Sequence, residues 1–267
     1  MSWRRTSGQD TGFTLIELTV VLAIVGLLLG GLLLPLSIQV DLTRTRQTET
    51  VLAEVKEALV GFALANGRLP CPDCSRAANC PSLALPNVIN DGQEDYVGGI
   101  CIDNIETGNL PWVDLGVSEL DAWGQRFTYH VDGAFADQAP AAFSANCPTP
   151  ATDYEYADLG GGIYCCSDTN SASFYLCQNG NATVAEEAGG TTVVANNLPA
   201  VVISHGINGA LGAIAAVTRE NENFDGDTDF VSRDFVLDEN GNTDFDDLVI
   251  WISPNTLKYR MNTAGLF

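Results

Sequence analysis

The chain has 267 residues, with 34 acidic side chains against 12 Lys and Arg, a formal net charge of −22 and a mean hydropathy of +0.09. That length suits one anchor-sized segment and one domain of about 200 residues. Such acidity excludes a phosphate-backbone partner, which needs a basic face, so no nucleic acid is expected; it is better suited to keeping a surface soluble.

From Leu18 to Ile38 the chain carries no Lys, Arg, Asp, Glu or His. As a helix these 21 residues reach about 31 Å, near the hydrocarbon thickness of a bilayer. Arg4 and Arg5 precede the run with only Asp10 to offset them. The positive-inside bias therefore puts this end in the cytoplasm and the remainder across the membrane. Glu17 heads the run, where a carboxylate is costly unless paired, and an intramembrane acid is a functional candidate by default. A secretory signal has its small-residue cleavage site after the apolar core; here the small residue, Gly12, comes before it. A cut there leaves the hydrophobic helix on the mature protein.

The segment Gly12-Phe-Thr-Leu-Ile-Glu-Leu18 closely resembles the cleavage signal of type IV pilins and of the pseudopilins of type II secretion systems. The resemblance implies cutting after Gly12 by a prepilin peptidase and methylation of the new N-terminal residue, Phe13. It also places Glu17 at the position thought to neutralise the N-terminal amine of a neighbouring subunit. The physics agrees: an ammonium and a carboxylate in an apolar core each remove the other's burial penalty. The leader would be residues 1–12, whose loss removes two arginines and one aspartate and leaves a net charge of −23. Implied partners are the peptidase, other pilin or pseudopilin subunits and an inner-membrane assembly platform. The implied location is the inner membrane, single-pass with a periplasmic head, and then a filament.

Beyond Pro35, the residues Leu42, Val51, Leu52, Val55, Leu59 and Phe62 recur three or four apart among Arg44, Arg46, Glu49, Glu54, Lys56 and Glu57. That stripe predicts an amphipathic continuation of the helix, stopped by Asn66-Gly67 and Pro70. Residues 13–38 then form a transmembrane half and 39–66 an amphipathic half, with 67–267 as an extracytoplasmic head. A continuous helix over 13–65 would be about 80 Å long. Gly30, Gly31 and Pro35 are its weak points, and the missing N–H of Pro35 predicts a kink or local melting.

Eight cysteines, Cys71, Cys74, Cys80, Cys101, Cys147, Cys165, Cys166 and Cys177, all follow the membrane run. An even number on the oxidising side predicts disulfides, and the sequence does not choose among the pairings. Cys71-Pro-Asp-Cys74 has redox or metal spacing. A c-type haem would need His where Ser75 stands, and zinc would need Cys80 and Cys101 as the second pair; the compartment favours oxidation. Cys165 and Cys166 are adjacent, and because a vicinal bridge is strained each is expected to pair elsewhere.

The head reads as loop-rich α+β, with an antiparallel sheet packed on the helix as in the pilin fold that the resemblance implies. Breakers crowd the segment up to Asp121. Asp121-Ala-Trp-Gly124 leads into Arg126–Val131, where Phe127, Tyr129 and Val131 alternate with Arg126, Thr128 and His130, a strand pattern. This turn and strand resemble a segment of major pseudopilins. Further strands are expected at 162–166, 173–177, 191–194, 200–204, 230–237 and 248–252. Residues 132–187 read as an insertion with four of the cysteines.

Between Glu220 and Asp247 stand eleven acids and one base, Arg233. Asp225, Asp227 and Asp229 alternate, and Asp238, Asn240, Asn242 and Asp244 repeat the spacing around Gly241. Alternating oxygen ligands in tight loops suit Ca²⁺, although Phe230 and Val236 occupy the Gly and Glu positions of an EF-hand. Some pseudopilins bind calcium near their C-terminus, and the resemblance extends the expectation to these loops. The alternative is two solvated turns, Asp225-Gly226 and Asn240-Gly241, joining strands.

Catalysis has little support. The two histidines, His130 and His205, fall on the polar face of a strand and at a strand end, and no phosphate-binding or nucleophile-elbow pattern occurs in context. Asn181-Ala-Thr183 matches a glycosylation sequon, a weak three-residue signal. Trp112, Trp123 and Trp251 read as core anchors. The expectation is a non-enzymatic structural subunit of a type IV pilus-like filament, with a secretion pseudopilin and a non-polymerising anchored binding protein as the alternatives.

Overall fold

The computed structural model describes residues 14–75, 80, 89–137, 156–158, 163–165, 174, 178–190, 192–207, 209, 220–234, 236–237 and 243–266. Within those, the side chains of 29–38, 156–158, 163–165, 236–237 and 243–244 are not described. The chain divides into a unit of residues 1–44 and a unit of residues 45–267.

Helix α1, Leu15–Asn66, runs through Pro35 without interruption. It stops where the sequence says it should: Gly67 takes a φ of 73° and its N–H bonds the Ala63 carbonyl, a left-handed turn that glycine adopts at low cost. In the first unit every described side chain from 14 to 28 is exposed, although most are apolar. Among the described residues no helix is long and apolar enough to cross a membrane, and residues 14–28 are fewer than the ~20 a span requires.

The second unit is built in layers on a four-stranded antiparallel sheet. Its members are β3 (Thr107–Asn109), β4 (Thr128–Val131), β9 (Ala200–Ser204) and β13 (Leu248–Ile252), in the order β13-β9-β4-β3. One face packs on α1 and on the C-terminal helix α4, Pro254–Thr263: Leu52, Val55, Leu59 and Ala63 join Tyr129, Val131, Ala200, Val202, Leu257 and Met261 in one core. The other face packs on a three-stranded sheet of β7 (Ala182–Ala185), β8 (Val193–Leu198) and β10 (Asp229–Val231), where Val201 and Ile203 meet Ala182, Val184, Leu198 and Phe230. Pro199 alone separates β8 from β9, so the chain passes directly from one sheet to the other. Short pairs complete the head: β1 (Tyr96–Val97) with β2 (Ile100–Cys101), β5 (Tyr156–Asp158) with β6 (Ile163–Cys165), and β11 (Val236–Leu237) with β12 (Thr243–Phe245). Two four-residue helices, α2 (Trp112–Leu115) and α3 (Gly133–Ala136), lie between strands.

Helix with mainly antiparallel sheet and disulfides is the α+β class the sequence predicts, with differences in detail. The pairing of β10 with β7 is parallel. The single strand expected at 230–237 is two, because β10 pairs with β7 while β11 pairs with β12. The strand expected at 191–194 lies further on, at Val193–Leu198, and α4, announced by Ser253-Pro254, was not anticipated. His130 is not on a solvated face: at 1% exposure it lies against Phe230, ring centroids 5.3 Å apart. Alternation marks a strand with one wet face; β4 is central and covered on both sides. The strand expected at 173–177 falls outside the described residues, apart from Phe174, whose ring tilts on Phe135.

Candidate functional site

Helix α1 begins with a reciprocal cap. Thr14 Oγ accepts from the Glu17 N–H at 3.3 Å, while Glu17 Oε2 stands 3.4 Å from both the Thr14 N–H and its hydroxyl. Thr-x-x-Glu at a helix start is a capping box, and it supplies acceptors for donors the first turn leaves unpaired. A carboxylate there also faces the positive end of the helix dipole. Glu17 is therefore held by its own helix while remaining exposed. The signal, Thr14 three residues before Glu17, is readable in the sequence, but the apolar run draws attention to the acid alone. Gly12 and Phe13 lie outside the described residues.

Where α1 ends, the head closes on it through charge. Arg68, 7% exposed, makes a bidentate pair with Glu94, both contacts at 2.7 Å, and its guanidinium stacks 3.6 Å from the Tyr96 ring centroid. Cys71 bonds Cys101 and Cys74 bonds Cys80, which removes these four thiols from metal ligation. Cys147, Cys166 and Cys177 lie outside the described residues, and Cys165 is described by its backbone in β6. Between Cys71 and Cys74, the buried Asp73 carboxylate accepts the N–H groups of Asn90 and Gly92, both at 3.0 Å. Burial pushes its acid up to about 6, reinforced by the charges of Asp95 and Asp91 and opposed by those two N–H bonds.

The Asp121–Gly124 turn is a joint between layers. Asp121 Oδ1 accepts the Trp123 and Gln125 N–H groups at 2.9 and 2.8 Å, and Oδ2 accepts the Ser204 hydroxyl at 2.6 Å. The Ala122 N–H reaches Thr48 Oγ on α1 at 3.2 Å. One carboxylate thus fixes the turn, the end of β9 and the entry into β4. Trp112, Trp123 and Trp251 are half-buried, flanking the core rather than filling it.

Both histidines are held by threonine hydroxyls: Thr107 lies 2.8 Å from His130 Nδ1, and Thr128 lies 2.8 Å from His205 Nε2. His130 Nε2 faces Asn181 Oδ1 at 3.1 Å, which ties the sequon asparagine into the sheet, and burial lowers the pKa of the imidazole. His205 stacks on Phe224 at 3.9 Å, and its Nδ1 is 3.7 Å from Asp247 Oδ2, beyond hydrogen-bond length.

Of the proposed calcium ligands, Asp225 and Asp227 are engaged in their own turn: their Oδ1 atoms accept the N–H of Asp227 at 3.1 Å and of Asp229 at 2.8 Å. Asp225, Asp227 and Asp229 are not fully buried. Asp244 is placed by its backbone in β12, while Asp238, Asn240 and Asn242 lie outside the described residues. Among the described residues, the carboxylates that converge are Glu220, Asp246 and Asp247, each offering an oxygen within 4.8 Å of the others. Their separation in sequence gave no signal.

Residues 9–33 match the family described as the prokaryotic N-terminal methylation motif, the signature of prepilin-like proteins of the type IV pilin and pseudopilin kind. No curated protein and no solved structure matches the chain.

Proposed function

We propose that this chain, which carries the N-terminal methylation motif of prepilin-like proteins, is a structural subunit of a type IV pilus-like filament. Prepilin peptidase cuts it after Gly12 and methylates Phe13, and residues 13–38 hold it in the inner membrane with the head outside. Subunits then leave the bilayer through an assembly platform and pack by their N-terminal helices, as small-residue and apolar helix faces do in lipid. Residues 39–66 support the head, 67–267, with 132–187 as its insertion. Neither histidine has a catalytic role, and the head follows the pilin architecture of helix on antiparallel sheet.

The observation that carries this reading is the methylation motif over residues 9–33, with Glu17 in a stretch, 14–28, whose apolar side chains are exposed. Leu15, Ile16 and Leu27 are more than 70% exposed, and a surface so apolar requires cover from lipid or from other subunits. The capping box adds a physical step: the carboxylate that meets a neighbour's amine must first leave Thr14, so it waits in a satisfied state. Replacing Glu17 with Ala should leave membrane insertion intact and cut filament incorporation by about 10²–10³-fold, the factor for breaking a buried ion pair. Normal assembly of this variant, or loss of the first forty residues on export, would overturn the reading.

A second reading, a type II secretion pseudopilin, is favoured by the Asp121–Gly124 turn and its similarity to major pseudopilins. Deleting the gene separates the two: lost surface filaments indicate a pilus, and retained folded substrates indicate secretion. An anchored binding protein that never polymerises would show neither defect.

A further inference from the structure

Two exposed apolar features of the head differ in shape. The first is the hairpin of β1 and β2. Val97, 63% exposed, pairs across it with Ile100, 44% exposed, and Gly98 and Gly99 turn the chain between them at φ of 68° and 99°. Those angles suit glycine, so the turn takes only two residues. No residue from Tyr96 to Ile102 is charged. The base of the hairpin is fixed: Cys101 bonds Cys71 and donates its N–H to Asp137 Oδ1 at 2.7 Å, while the Tyr96 ring stacks on Arg68. The two aliphatic side chains are thus presented as a rigid knob, which lowers the ordering cost of binding.

The second feature is a groove of about 450 Å³ between α1 and α4. It is lined by Gly61 and Leu64 on one side and by Tyr259, 72% exposed, and Ala264 on the other. Its two charged lining residues, Glu57 and Arg260, pair with each other at 2.7 Å. Gly61 is the informative residue. Helix interiors disfavour glycine, and a Cβ built at this exposed position meets nothing within 4 Å, so among the described residues no group requires the missing side chain. A bare stretch of helix beside an exposed tyrosine is instead suited to close approach by a second molecule.

We infer that the Val97–Ile100 hairpin of one subunit docks in the Gly61–Tyr259 groove of a second copy. Charge decides the occupant. The chain carries a net charge of −22, so two heads approach at least cost where neither presents an unpaired charge, and the knob and the groove both meet that condition. They also face different ways. Phe62, which lies beside Arg68 on the hairpin side, is about 130° round α1 from Glu57, Gly61 and Leu64 at 100° per residue. A contact that joins different sides of identical heads is heterologous, and repeated without closing it builds a helical filament. The inference rests on the filament reading and adds to helix packing a contact between heads.

A photoreactive benzophenone residue in place of Val97, in the full chain expressed in its own cells, tests the contact directly. Irradiation should give a covalent dimer whose adduct maps by mass spectrometry to 57–64 or 254–264 of a second copy. Gly61→Leu fills the groove from a Cβ that meets nothing within 4 Å, so the thermal midpoint should hold or rise while adduct and filament yield fall about tenfold or more. Val97→Ser with Ile100→Ser should lower filament yield to a similar degree, whereas Val193→Ser, at an exposed valine on β8, should leave it unchanged. Filaments that assemble without this adduct overturn the contact and leave the filament reading standing. Full assembly of Gly61→Leu does the same, as does a loss in Val193→Ser equal to that of the hairpin pair. No adduct together with a Glu17→Ala variant that behaves as the native chain overturns both readings. The adduct map does not depend on any variant of the groove folding.

Discussion

Two stretches of one helix use the same residue types to opposite ends. From 14 to 28, leucine, valine and isoleucine are exposed, Leu15 at 82%. From 52 to 63, Leu52, Val55, Leu59 and Ala63 are at 1% or below. Hydrophobicity alone does not separate them; periodicity does. The first stretch is apolar all round and has no face to turn toward a sheet, which is the pattern of a helix covered by lipid or by other helices. The second confines its apolar residues to a stripe and places Glu54, Lys56 and Glu57 outside it, so one face docks and the other stays wet. An N-terminal stretch whose apolar residues are exposed and a C-terminal stretch whose apolar stripe is buried in the head thus share one continuous backbone.

The sharpest way to break this comparison is at the junction where the second stretch ends. Arg68→Ala leaves Glu94, whose side chain is 17% exposed, without its partner and should cost the head about 3–5 kcal/mol, read by denaturant unfolding. A loss below about 1 kcal/mol would mean that water reaches the pair. The next largest effect belongs to the disulfide between Cys71 and Cys101, which closes a loop with a sequence separation of 30. Replacing both with Ser should lower stability by ~3–4 kcal/mol, by the loop-closure estimate.

Paired leucine truncations test the comparison directly. Leu59→Ala should cost about 2–5 kcal/mol of head stability through a core cavity, whereas Leu22→Ala should change it by less than about 0.5 kcal/mol. Equal losses would show that the two stretches are not independent.

The smallest effect is a pH slope. Asp73 titrates near 6 in the folded chain against an ordinary 3.8, so between those values the folded state binds the extra proton. Its contribution therefore makes the head more stable as pH falls through 6, levelling off below 3.8, by roughly 1–3 kcal/mol. His130 opposes it: burial depresses its pKa, so stability is lost as pH falls below about 6.5, where the unfolded imidazole charges. Thermal midpoints between pH 7 and 5 should therefore rise more in the native protein than in Asp73→Asn. An identical slope in both would remove Asp73 as the source.

How much could be read in advance varied with the range of the interactions. The end of α1 at Asn66-Gly67 was legible because a glycine stop is local chemistry. Strand β13 was legible to the residue, 248–252, because a short apolar run between acids and Ser-Pro has no other reading. His130 was misplaced because alternation in β4 says nothing of what covers the second face, and that cover, β7 and β10, comes more than fifty residues later. The acidic segment was legible as acidic, but not in which of its carboxylates meet. Spacing within one loop drew attention to Asp225, Asp227 and Asp229, while convergence joins Glu220 to Asp246 and Asp247 across 26 residues.

The amino-acid order by itself determined the processing signal, the apolar run, the glutamate at its head, the stripe on the second half of α1 and the α+β class, because each is a matter of near neighbours and backbone period. Only the tertiary structure decided which cysteines pair, that β4 is dry on both sides, that Asp121 binds β9, and which acids face one another. Those depend on segments far apart in the chain coming into contact, and no local pattern records the partner.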